Sequence, residues 1–129
     1  MRLPLILDLA ADSFGERLAI EGDTGRLSFA GLPAAAGGLA ATLVGGASRN
    51  LGFLGVNGPA LPVALFGAAM AGRPFAPLNY RLTDPALRRL AARLAPATIV
   101  ADDTMALRLT GIDGVAVLTR SALLALPPA

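Results

Sequence analysis

Polar side chains with chemical reach are few in this chain, and the densest group is Asn79-Tyr80-Arg81, directly after the apolar run Phe75-Ala76-Pro77-Leu78. An amide, a phenol and a guanidinium can donate hydrogen bonds to carboxylate, phosphate or carbonyl oxygens, but they supply no base at neutral pH. Two readings stand for them. In the functional one, Asn79, Tyr80 and Arg81 line or brace the entrance for a ligand. In the structural one, Asn79 satisfies turn backbone, Tyr80 packs, and Arg81 pairs with a carboxylate or with carbonyls. Asp102-Asp103 with Asp113 offer oxygen ligands for a hard cation, yet a strand-end Asp pair more commonly caps the next helix. Arg88, Arg89 and Arg93 form a basic side on one helix, a solvated face by default and a phosphate contact otherwise. Gly52-x-x-Gly55-x-x-Gly58 lacks the G-x-G-x-x-G spacing of a dinucleotide loop, and no suitably placed acid follows it, so its role is structural.

The residues that are missing exclude more than those present suggest. All 11 basic residues are arginine, and lysine, histidine and cysteine are absent. Without lysine there is no Walker-type phosphate loop and no Schiff base. Without histidine or cysteine there is no Ser-His triad, no thiolate nucleophile and no ordinary zinc site. Ser28 therefore reads as the polar end of a strand, since no base exists to activate it. No catalytic, cofactor-binding or metal-binding residue is expected.

The elements that position these residues follow from periodicity and punctuation. A short opening helix spans Leu5 to Asp12, with Ile6 and Leu9 on one side, and ends at Phe14-Gly15-Glu16. Leu18–Glu21 and Arg26–Phe29 form a hairpin around Gly22-Asp23-Thr24-Gly25. Ala30–Val44 is helical, with Leu32, Ala36, Leu39 and Leu43 at three- and four-residue steps. Gly37-Gly38 inside it costs about 1 kcal/mol per residue relative to alanine, so this helix must rely on tertiary packing. Strands follow at Leu51–Val56, Phe75–Leu78, Thr98–Ala101 and Val115–Leu118. Helices separate them at Pro59–Ala71 and Asp84–Leu94, with a shorter piece at Met105–Leu109 and a last one at Ser121–Leu126. Gly72 ends the first of these by positive φ, and Asp84-Pro85 reads as N-cap plus first-turn proline for the second. Strand–helix alternation implies βαβ units and a largely parallel sheet. Pro59–Ala71 carries no charge, and Leu61, Val63, Leu65, Phe66 and Met70 do not share one narrow stripe. One face covers the sheet; the others need a layer expected from outside this chain or from another copy, so self-association through apolar faces is expected.

A helix ending in Ala71-Gly72, a short strand ending in Pro77-Leu78-Asn79, then Arg81-Leu82-Thr83 and a further helix resembles the adenylate-forming (AMP-binding) enzymes. The chain is most similar to their acyl-CoA synthetase branch, the fatty-acid and aryl-acid CoA ligases. Arg26-Leu27-Ser28-Phe29 with Leu32 and Leu39-Ala40 is similar to the family's early strand-to-helix passage, and Thr98-Ile99-Val100-Ala101-Asp102 to its next strand. Asn79 stands where peptide-synthetase adenylation domains usually carry Asp, which favours the acyl-CoA branch. Gly55-Val56 and Gly37-Gly38 depart from the usual residues.

The resemblance implies a single α/β subdomain over residues 1–129: a hairpin, then a largely parallel βαβ sheet with helices packed on it. This would be an incomplete piece of the family's large N-terminal domain. In the complete enzyme a carboxylate and ATP give an acyl-adenylate, which a thiol converts to acyl-CoA; ATP, Mg²⁺ and CoA are implied there. The phosphate-loop region with its lysine and the C-terminal domain lie outside residues 1–129, so the chain alone is expected to bind none of these cofactors. The remainder of the synthetase, a complementary chain of a split enzyme, or another copy is the expected partner, in the cytoplasm. The rival readings are a non-catalytic interaction module and a small membrane-associated protein.

Composition bears on both rivals. Apolar residues make up 54% and charged residues 16%, with 15 glycines besides. That departs from the roughly 25% charged content of soluble domains, as expected of faces that meet other protein. The apolar run at Leu3 is interrupted by Asp8, too soon for a signal core. The uncharged stretches Leu27–Ser48 and Asn50–Gly72 reach the length of a span, but prolines, asparagines and glycines interrupt them, so no membrane span is expected. The net charge of +2 comes from scattered arginines, unlike a clustered nucleic-acid surface.

Overall fold

The computed structural model describes residues 3–14, 18–22, 25–28, 30–56 and 58–129. It is a mixed α/β fold with a four-stranded parallel sheet in the order β4-β3-β5-β6, built from β3 (Asn50–Leu54), β4 (Phe75–Leu78), β5 (Ala97–Ala101) and β6 (Val115–Thr119). A separate antiparallel pair, β1 (Leu18–Gly22) and β2 (Gly25–Ser28), forms the expected hairpin. Its connecting residues and Phe29 lie outside the described residues, as do Gly15 and Glu16 at the expected end of the opening helix.

Helices cover both faces of the parallel sheet. On one face α3 (Ala60–Met70) packs on the sheet and is crossed by α2 (Gly31–Val44), with α1 (Leu3–Phe14) and α5 (Arg120–Leu124) beside them. Leu32, Ala36, Leu39 and Leu43 are the buried side of α2, as their spacing predicts. On the opposite face α4 (Asp84–Arg93) and the 3-10 helix Ala106–Leu109 close a second core around Leu54, Leu78, Leu87, Ala91, Ile99 and Leu109. β3 and β5 are thus covered by apolar side chains on both faces, alternate residues entering alternate cores, which is why both strands are buried almost throughout.

Several expectations need correction. The second layer over α3 comes from within the chain: Gly67 presses against Leu39 of α2 so closely that a Cβ there would lie 2.7 Å from Leu39 Cδ2. Leu61, Phe66 and Met70 are partly buried in the same cluster. In α1 the buried residue is Leu7, while Ile6 and Leu9 are each 52% exposed, so the expected apolar side faces outward. The N-cap of α4 is Thr83, whose hydroxyl accepts the Ala86 N–H at 3.4 Å; Asp84 sits in the first turn, where its charge meets the helix N-terminus. Gly72 has φ +68°, as its position predicts.

The glycine pair inside α2 has a packing reason. A Cβ at Gly37 would collide with the carbonyl of Ala129, and one at Gly38 with the carbonyl of Pro127. Residues 127–129 lie along this notch, and the Ala129 N–H donates to the Ala34 carbonyl at 3.1 Å. The cost of two helical glycines is offset by a backbone contact that no other residue type permits.

Candidate functional site

In an open parallel sheet the carboxyl ends of the strands are the usual place for chemistry, above all where successive crossovers diverge. Here β3 connects through α3 to β4 on one side, while β5 lies on the other, so that point falls between β3 and β5. Two polar arrangements occupy this end of the sheet.

The first is the turn after β4. Leu78 is buried and anchors the strand end. The Asn79 side-chain oxygen accepts the Arg81 N–H at 2.9 Å, and the Leu82 N–H donates to the Asn79 carbonyl at 3.2 Å, so Asn79 shapes the turn on both its polar groups. Tyr80 is half-buried against the Leu54–Leu87 core. Arg81 is exposed, with its guanidinium 5.8 Å from the Tyr80 ring centroid, within cation–π range.

A residue not singled out in the sequence holds this turn. Arg108 donates from Nη1 to the Tyr80 carbonyl at 2.8 Å, from Nη2 to the Leu82 carbonyl at 2.7 Å and from Nε to Asp84 Oδ1 at 2.7 Å. Its own carbonyl accepts from Arg88 Nη1 at 3.0 Å. Every nitrogen of the Arg108 fork is therefore spent on three successive features of one turn. The available signal was an arginine isolated between Leu107 and Leu109 on an otherwise apolar short helix.

The second arrangement fills the crevice between β3 and β5. Asp102 is 4% exposed; its Oδ2 accepts the Val56 N–H at 3.0 Å and its Oδ1 pairs with Arg120 Nη1 at 3.1 Å. Gly55 is glycine because the Asp102 carboxylate takes the space of a side chain: a Cβ there would be 2.5 Å from Oδ1. Asp103 accepts from the backbone and the hydroxyl of Ser121, and these bonds hold its carboxyl below the usual aspartate range, against a smaller opposing effect of desolvation. The Asp pair thus binds the first turn of α5, beyond β6, and not the next helical piece as its position predicts.

Asp113 precedes β6 and so lies at the opposite end of the sheet from Asp102 and Asp103. The imagined cation triad does not assemble, and among the described residues no group of three acidic, His or Cys side chains forms a metal site. Arg88 is tied to Arg108, whereas Arg89 and Arg93 are exposed. Ser28 accepts the Gly31 N–H at 2.9 Å and so braces the start of α2. In chemical terms the 79–81 turn is a preshaped surface with one permanent positive charge and an amide and a phenol beside it. It can orient an acceptor but not abstract a proton.

A family model described as AMP-binding enzyme matches residues 7–125. No curated protein matches the sequence. Among solved structures, the fold is similar to that of a benzoate CoA ligase from Burkholderia xenovorans LB400, with TM-score 0.80 and 20% identity over 100% of this chain and 29% of that one. It is also similar to a Mycobacterium tuberculosis fatty acyl CoA synthetase, with TM-score 0.76 and 20% identity over 95% of this chain and 28% of that one. A third similar structure is a nonribosomal peptide synthetase with alpha-methyl-L-serine-AMP bound, with TM-score 0.81 and 18% identity over 100% of this chain and 16% of that one. The chain thus spans less than a third of the length of each.

Proposed function

The chain belongs to the AMP-binding enzyme family, and from that premise we propose that it is the N-terminal α/β piece of an ATP-dependent acyl-CoA synthetase-like ligase, inactive alone. The complete enzyme would join a carboxylate to ATP with release of pyrophosphate, and then pass the acyl group from AMP to the thiol of CoA. This chain's contribution is a rigid floor, and the Asn79-Tyr80-Arg81 turn lines or braces the acyl or thiol entrance. Arg108 fixes the turn, so that Arg81 is offered to solvent from a preset backbone instead of a mobile loop.

The observation that carries this reading is the contrast between fold and side-chain chemistry. The family match covers residues 7–125, yet no lysine occurs anywhere in the chain. Adenylate formation needs the developing phosphate charge to be met by preorganised cations. In the β3–β5 crevice the one described cation, Arg120, is already paired with Asp102, and Asp103 beside it is an anion that holds Ser121, while Arg81, Arg89 and Arg93 lie on the exposed surface away from that crevice. These residues do not fit ATP or Mg²⁺, so both cofactors, with CoA, belong to the rest of the ligase. A cytoplasmic site of action goes with that reading, because ATP and CoA are supplied there.

A second reading, a non-catalytic interaction module, is favoured by one feature: Leu5, Ile6 and Leu9 of α1 present an exposed apolar face. The membrane reading has no comparable support, since among the described residues no helix is long and apolar enough to cross a membrane.

The test is pyrophosphate exchange with a panel of carboxylic acids, beside a calorimetric titration with MgATP. The chain alone is expected to give no exchange and no micromolar binding. Exchange should appear on co-expression with a lysine-containing C-terminal half of a ligase. Exchange by the chain alone would overturn the proposal, and a chain that captures a partner protein without restoring exchange favours the interaction module.

A further inference from the structure

The 79–81 turn and Asp102 lie at the carboxyl ends of the strands; a second polar cleft opens at the amino ends. The chain enters β3 through Ser48-Arg49 and β4 through Gly72-Arg73. Leu51 of β3 pairs with Phe75 of β4, so Arg49 and Arg73 each stand two residues ahead of one ladder position on neighbouring strands. With Gly46, Ala47, Ser48 and Gly72 they line an open cleft of about 640 Å³.

Hydrogen bonds fix both walls of this cleft. Arg73 is half-buried, and its Nε donates to the Ser48 carbonyl at 3.1 Å, which sets the plane of the guanidinium. The Ser48 hydroxyl lies 2.7 Å from that of Thr98, and the Arg49 N–H donates to the Pro96 carbonyl at 2.8 Å. The Arg73 N–H reaches the Ala68 carbonyl at 2.8 Å across the turn that Gly72 makes at positive φ. Among the described residues, the two outer nitrogens of Arg73 and the whole Arg49 guanidinium have no hydrogen-bond or carboxylate partner.

No acidic side chain lines the cleft. α2 and α3 both end beside it, and each carbonyl end is worth about half a negative charge. The two arginines therefore leave roughly one positive charge uncompensated. Like charges on neighbouring strands repel, and an anion that accepts from both removes that cost. A carboxylate spends both its oxygens on a single arginine fork, whereas a phosphate has further oxygens for a second one. The cleft is larger than an inorganic ion requires and falls within the range of small-ligand sites, about 300–1,000 Å³. We propose that it binds the phosphate group of a phosphorylated small molecule, gripped by the outer nitrogens of Arg73 and by Arg49. The inference is independent of the ligase reading, and it holds or fails whatever pyrophosphate exchange shows.

Inorganic phosphate is the probe, titrated at constant ionic strength with chloride as the balancing anion. The amide resonances of Ser48, Arg49, Gly72 and Arg73 should shift together and saturate in the millimolar range, since the ion lacks the rest of the ligand. Arg49→Met, which changes an exposed side chain, should weaken binding at least about tenfold with circular dichroism unchanged. Arg73→Met should weaken it as much, and Arg73→Lys should not restore it, because an ammonium has the charge without the fork. Arg89→Met, on the exposed side of α4, should leave the affinity as it was. Acetate should bind more weakly than phosphate, and equal affinity overturns the phosphate assignment. Shifts that never saturate, or an equal loss in Arg89→Met, overturn the proposal. So does a natural chain that binds no phosphate while both cleft variants melt lower, which would leave the arginines as counter-charges to two helix ends.

Discussion

On one face of the sheet α3 is enclosed by the strands below and by α2, α1 and α5 around it; on the other face α4 meets the sheet along one stripe, Leu87 and Ala91. α3 has no side-chain cap and no charge in either end turn. α4 has a Thr83 cap, Asp84 in its first turn and Arg93 in its last, and its outer face mixes Asp84, Arg89 and Arg93 with Pro85, Leu90 and Ala92. The difference shows two ways of holding a helix in place. Caps and end charges make α4 locally sufficient, and one apolar stripe then fixes its orientation. α3 has none of these aids, so its position depends on neighbours from both ends of the sequence, with small residues (Ala60, Ala64, Gly67, Ala68) letting them approach.

The strongest break in that contrast is Leu39→Ala. Leu39 is fully buried between α2 and α3, and a cavity there is expected to cost about 2–5 kcal/mol. Urea unfolding should show the loss as a lower midpoint with an unchanged slope. Exchange of α3 amides should quicken more than that of α4 amides.

An intermediate effect is expected on the α4 side. Arg108→Met keeps the aliphatic stem but removes three donors, including those to the Tyr80 and Leu82 carbonyls. A loss of about 1–3 kcal/mol is expected, because the Asp84 partner is 63% exposed and contributes little. Hydrogen exchange should report loosening of the 79–84 turn with α3 unchanged. If both faces loosen together, the comparison fails.

The smallest effect concerns the polar latch at the rim of the α3 side. Ser121 holds the Asp103 carboxyl below its usual range, so the ionised form is favoured in the folded chain. The stability it confers is present above the ordinary aspartate value and is lost as pH falls through the lowered folded value, below about pH 4. Melting of the natural chain against Asp103→Asn should show a gap at neutral pH that closes in that acid range. A gap independent of pH would mean that the latch owes nothing to the charge.

The order and type of the elements were legible because each signal is local. Gly72, with its positive φ, the Leu32-Ala36-Leu39-Leu43 steps and the β-branched strands all act within one or two turns of chain. The end of α4 was misplaced by one residue because Thr83 and Asp84 are both good caps, and only geometry chooses between them. The cover over α3 was not legible, because it joins residues far apart: Leu39 meets Gly67, and Leu123 enters the same core. Arg108 was hidden for the same reason, being 24 residues from the Asp84 it holds. Gly55 had looked like a departure from the family pattern, and its explanation lies 47 positions away, in the carboxylate of Asp102.

The notch at Gly37-Gly38 has a consequence for the order of events during synthesis. α2 leaves the ribosome early, carrying two residues that weaken it by about 1 kcal/mol each. The segment that compensates them, residues 127–129, follows about 90 residues later. At roughly 5–20 residues per second that interval is on the order of 5–18 s. For that time α2 stands without the contact that its glycines were shaped to receive. Nascent chains stalled before Pro127 should therefore show α2 protease-sensitive, and release of the whole chain should protect it.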